Sequence, residues 1–197
     1  MSYNDEPFYE FFIHYCAPTM ARLKCANMMS CPNDRDCAED LARIRSEVVH
    51  KGVEIEIMFR NPDRQLVLVY RPLMLAEILK QSEIREFLGQ FGYQDFSVEG
   101  AVAYLKSRIS LEGGQFPHEI GVFLGYPLAD TRGFIENRGQ NDLLCGEWKV
   151  YHEPEKARKI FANLQKCREI YLALYAAGKS GRKMTPPGEA MLLPVFS

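Results

Sequence analysis

The sequence lacks most of the short motifs that announce a chemistry. No G-x-G-x-x-G and no G-x-x-x-x-G-K-[ST] occurs in its 197 residues, so the two glycine-rich loops that cradle phosphates are excluded. No C-x-x-C occurs either. Zinc ligands usually come in knuckle pairs two to four residues apart, so Cys25, Cys31 and Cys37, recurring every six, raise no expectation of a metal site. HEIGV falls short of H-E-x-x-H because Val122 stands where the second histidine is required.

Charge of one sign is missing too. With 24 Lys and Arg against 26 Asp and Glu, the net charge of -2 sets up no field for nucleic acid or an anionic membrane, and neither is an expected partner. Long apolar runs are absent: Leu66 to Tyr70 and Ile120 to Leu124 are only strand-sized. Nothing in MSYNDEPFYE resembles a basic region followed by a signal-length apolar segment, so a cytoplasmic location is expected. The six cysteines are too few to staple a chain of this length and are expected as free thiols.

What is present suits one compact domain. Apolar residues make up 47% and charged residues 25%, an ordinary soluble composition. A chain of this size buries roughly 70% of the surface its unfolded form exposes. A single domain over residues 1–178 is expected, followed by a basic, then proline-rich tail at 179–197 that is mobile or draped on the surface.

Periodicity supplies the elements. Phe8, Phe11, Phe12 and Tyr15 form a helical stripe over Glu6 to Tyr15 that Pro18 is expected to interrupt, leaving Cys16 near the start of a new helix. A helix over Asp36 to His50 ends at Gly52. VEIEIMFR and QLVLVYR around Asn61-Pro62-Asp63 form a β-hairpin. Three short helices follow from Pro72 to Ile109, with Ser82 and Ser97 as N-caps. After a Gly113-Gly114 break, FPHEIGVFLGYP reads as a strand whose alternation puts His118, Ile120, Val122 and Leu124 on the core face and Glu119 on the other. PLADTRGFIENRG reads as a helix, Glu147 to Tyr151 as a strand, and Pro154 to Ala177 as a long helix with Leu164, Cys167, Ile170 and Tyr171 on one face. The expected fold is α+β (mixed α/β): one small, at least partly antiparallel sheet containing a hairpin, covered by about seven helices.

Two kinds of site fit these residues. Neutral imidazole near pH 7 both accepts and donates a proton, so His118 is a candidate base, and a thiol at a helix N-terminus has its thiolate favoured. The chain order Cys16, His118, then Asn137 or Asn141 matches papain-type cysteine hydrolases, although HYCAPT does not resemble their nucleophile segment. The bland alternative is a buried inert thiol and a histidine hydrogen-bonded at a strand edge. The leading expectation is instead a small-molecule or partner-binding domain with a polar and aromatic pocket, drawing on Lys24, Glu119, Tyr126, Trp148, Lys149 and Tyr151. Neither reading specifies a cofactor, and the ligand, a small molecule or a protein, is unknown.

HYCAPTMARLKCANM, QLVLVYR, FPHEIGVFLGYPLADTRGFIENRGQN, GEWKVY and EKARKIFANLQKC, spread from about Phe8 to Ala177, together resemble the bacterial family catalogued as domain of unknown function 3793. The resemblance implies a cytoplasmic protein of anaerobic bacteria and brings no activity, cofactor or substrate. It picks out Cys16, Pro18, Lys24, His118, Glu119, Tyr126, Trp148, Lys149 and Tyr151, with Gly125, Pro127, Gly133, Phe134 and Gly139, as positions matching the family pattern. Cys25, Cys31 and Cys37 depart from that pattern.

Overall fold

A computed structural model describes residues 8–111 and 116–178. Glu6, the Gly113-Gly114 break and the tail from residue 179 lie outside the described residues. The order of elements is α1 (Phe8–Met20), β1 (Ala26–Pro32), α2 (Arg35–Val48), β2 (Glu54–Arg60), β3 (Arg64–Tyr70), α3 (Pro72–Leu79), α4 (Ser82–Gly89), α5 (Val98–Leu111), α6 (Ile120–Phe123), α7 (Leu128–Glu136), β4 (Leu144–Cys145), β5 (Lys149–Val150) and α8 (Pro154–Ala176). The result is α+β: a three-stranded antiparallel sheet in the order β1-β3-β2 and a two-stranded hairpin β4-β5, among helices.

Both faces of the larger sheet are covered, which explains why β3 is apolar from Leu66 to Tyr70. Val67 and Val69 join Met29, Cys31 and Ile55 against α1, α2 and α8. Leu66, Leu68 and Tyr70 join Ala26 and Met58 against α3, α4, α5 and α6. A bulge between Ile57 and Phe59 inserts Met58 as an extra residue in β2. Asp34 caps α2 by accepting from the Cys37 N–H at 2.8 Å, and Gly52 closes the following turn with a left-handed φ of 69°.

The hairpin, α2, α3, α4, α5, α7 and α8 form close to where the sequence puts them, and Ser97 caps α5 by accepting from the Gly100 N–H at 3.1 Å. Ser82 does not cap: Gln81 precedes α4 without a side-chain bond. Ile170 is exposed rather than buried with the rest of its stripe on α8. The strand β1 was not anticipated, since ANMMSCP is poor in β-branched residues and is held by the partner β3 rather than by its own preference.

Two corrections bear on function. First, α1 runs through Pro18 instead of ending before it. Proline has no N–H to give the carbonyl four residues back, which here belongs to His14. The Arg168 Nε of α8 donates to that carbonyl at 2.9 Å, so the bond is replaced from outside and the helix continues. Cys16 is therefore mid-helix, with no helix N-terminus beside it. Second, residues 116–127 form no strand. Pro117, Glu119 and Ile120 carbonyls accept turn and helix bonds, and α6 is buried all round, so the apolar run suits a buried helical turn as well as a strand. The side chains invert accordingly: Glu119 is fully buried and His118 is exposed.

Candidate functional site

The segment α6–α7–β4–β5 is built around one buried carboxylate. Asp130 accepts from Trp148 Nε1 at 2.7 Å and from the Tyr151 and His152 N–H groups at 2.8 and 2.9 Å. These bonds tie the hairpin to α7. Gly133 allows the approach, because a Cβ there would stand 2.6 Å from Tyr151 Cβ. Trp148 is thereby fixed, stacked on Tyr126 with centroids 5.1 Å apart and meeting Phe161 edge-on at 4.6 Å. Gly125, at φ 72°, turns the chain so that Tyr126 faces the tryptophan, and the Tyr126 hydroxyl donates to the Glu147 carbonyl at 3.1 Å.

Between these groups lies a cavity of about 610 Å³ whose walls include Ile120, Leu124, Tyr126, Phe134 and Trp148, with His118 and Lys149 among its polar groups. His118 meets Phe134 edge-on at 5.4 Å. Lys149 Nζ donates to the Gly139 carbonyl at 2.6 Å and to Asp142 at 3.1 Å, and that bond to Asp142 holds its pKa above the usual value.

A second, more polar cavity of about 380 Å³ adjoins the first and shares Met28, Leu124, Tyr126 and Glu147 with it. Lys24, only 2% exposed, contributes to its lining. Its position follows from the end of α1. Arg22 takes a left-handed φ of 64°, and the Arg22 and Leu23 N–H groups return to the Thr19 and Pro18 carbonyls, a Schellman-type stop. Arg71 seals the same end by donating to Thr19 and Met20 carbonyls at 2.7 and 2.6 Å. The chain then enters β1 with Lys24 turned toward Tyr126, its Nζ 5.0 Å from the ring centroid. Burial pulls the Lys24 pKa from 10.5 down to about 8, opposed in part by Glu147. Opposite, Arg168 grips Glu147 with two bonds of 2.6 and 2.7 Å.

The remaining expected site residues serve elsewhere. Cys16 is fully buried against α8 and β1, its thiol 3.8 Å from Met29 Sδ, and burial pushes its pKa well above the thiol range. It lines neither cavity, so it is not brought to His118. Asn137 Nδ2 is spent on the Gly133 carbonyl at 2.8 Å at the end of α7, and Asn141 is an exposed residue at φ 60°. Glu119 pairs with Arg108 beneath α6 and accepts from the Tyr93 hydroxyl at 3.4 Å. Tyr151 packs on Gly133 outside the cavity lining. Cys31 and Cys37 do meet, with sulfurs 3.1 Å apart, whereas Cys25 lies on the other side of the sheet.

Arg168, Glu147 and Asp130 went unsuspected in the sequence. Arg168 had a signal, an arginine four residues after Leu164 and three before Tyr171 on the buried stripe of α8. A charge on that stripe needs a buried partner.

Fold and site define an α+β protein that carries paired apolar and polar cavities beside its small hairpin. Residues 12–185 match the family profile described as protein of unknown function (DUF3793), and the chain belongs to that family. No curated protein and no solved structure matches it. No helix among the described residues is long and apolar enough to cross a membrane.

Proposed function

We propose that this is a cytoplasmic bacterial domain that binds a small molecule in the cavity walled by Tyr126, Phe134 and Trp148. The observation that carries the reading is the cavity itself. Its volume of about 610 Å³ falls in the ordinary range for small-molecule sites, and its mostly apolar wall carries a few polar groups, His118 and Lys149 among them. The wall is braced, since Trp148 is held by Asp130 and by stacking, which lowers the ordering cost of binding. A balanced net charge gives no support for nucleic acid as the ligand.

The cysteine-hydrolase alternative draws no support from the buried Cys16 thiol. Trp148 is the single tryptophan and lines the cavity, so its fluorescence reports occupancy directly. A titration with a library of small aromatic and aliphatic compounds is expected to give saturable changes that Phe134→Ala weakens without unfolding the domain. Compounds that change the fluorescence only without saturation, or equally in Phe134→Ala, would contradict the reading.

A further inference from the structure

Lys24 is the one buried lysine among the described residues, and no counter-ion there is in contact with it. Among the described residues no acceptor hydrogen-bonds its Nζ and no carboxylate pairs with it; Glu147, the carboxylate whose charge acts on it, already has both oxygens on Arg168. A buried ammonium in that position costs stability unless something repays it. The neighbouring Asn27 is in the same condition. Its Oδ1 accepts from the Thr19 hydroxyl at 2.6 Å, and its Nδ2 has no partner among the described residues. Lys24 and Asn27 both line the polar cavity, which thus offers spare donors, one of them charged. Charges there sum to a positive excess: Arg168 and Glu147 cancel, and Lys24 remains.

We propose that the polar cavity is an anion subsite, where Lys24 and Asn27 bind the carboxylate of an amphipathic monocarboxylic acid whose apolar body lies across Tyr126 in the cavity beside Trp148. This rests on the binding reading above and names its ligand class. Geometry supplies the link, because Tyr126 and Leu124 wall both cavities and Lys24 sits over the Tyr126 ring. A bound carboxylate supplies the partner that Lys24 lacks, and it returns the depressed Lys24 pKa toward its ordinary value.

The test is a matched pair of probes, 4-phenylbutyrate and 4-phenylbutyramide, which share a shape and differ in charge. Trp148 fluorescence measures their affinities for the wild-type chain and for Lys24→Met, and NMR follows the Lys24 titration with and without sodium acetate. The acid is expected to bind about tenfold tighter than the amide in the wild type, and to lose that preference in Lys24→Met while the amide keeps its affinity. Equal affinities of acid and amide in the wild type would overturn the anion subsite and leave the apolar cavity reading intact. Should neither probe bind, the apolar reading fails for this body and acetate alone decides the subsite: an upward shift of the Lys24 titration supports it, and no shift overturns it.

Discussion

Asp130 and Lys24 are two buried charges on neighbouring parts of the same structure, exposed by only 3% and 2%, and they are treated in opposite ways. Asp130 takes three hydrogen bonds from three residues of one hairpin arm and its extension. Lys24 takes a ring face and no acceptor among the described residues. A satisfied buried charge specifies architecture, and here it decides where Trp148 stands. An unsatisfied one is a standing cost, and it is found lining a cavity. Arg71 and Arg168 fall on the Asp130 side of the comparison, each spending its guanidinium on α1 carbonyls, with Arg168 adding a carboxylate.

Removing each charge should therefore give effects of opposite sign. Asp130→Ala strands the indole N–H and two backbone N–H groups, and is expected to destabilise by about 3 kcal/mol or more in urea unfolding, with a shifted Trp148 emission. Lys24→Met should instead stabilise at pH 7. The fall of the Lys24 pKa from 10.5 to about 8 corresponds to about 3 kcal/mol, an upper bound because Glu147, Arg168, Cys16 and Cys25 all act on the amine. The folded pKa lies below the unfolded one, so the unfolded chain holds more protons between pH 8 and 10.5, and stability rises with pH across that window. Thermal unfolding should show that rise in the wild type relative to Lys24→Met. A variant no more stable than the wild type at pH 7 would break the comparison.

Gly133→Ala probes the packing that surrounds Asp130. Its new methyl would collide with the backbone-proximal atoms of Tyr151, and a loss of about 1–3 kcal/mol is expected. Cysteine labelling tests the thiol side without a large energy. In the native protein iodoacetamide should modify Cys145, the exposed cysteine, and reach Cys16 only after denaturation. At the small end, Arg35→Ala removes an exposed i,i+4 pair with Glu39 and should change stability by less than about 0.5 kcal/mol.

The sequence made the amphipathic elements legible and hid those whose structure is decided by partners. Leu41, Ile44 and Val48 mark α2 without help, and VEIEI alternates openly. By contrast, α1 passes Pro18 because Arg168, 154 residues from His14, replaces the missing donor. No local pattern carries that information. IGVFL is apolar throughout, so neither period was visible, and a strand reading reversed His118 and Glu119. Of the expected site residues, His118, Tyr126, Trp148 and Lys149 do meet around one cavity and Lys24 lines the adjoining one. The readable signal was their residue type; their convergence depends on Asp130 and two glycines whose roles appear only in three dimensions.

If Lys24 holds an unpaired charge in its cavity, the titration of that amine reports it. With the lysine side chains carbon-13 labelled and the Lys24 resonance assigned through Lys24→Met, its titration is expected near pH 8, well below the 10.5 of an unperturbed lysine. A Lys24 resonance that titrates near 10.5 would show a solvated or paired amine and overturn this reading of Lys24.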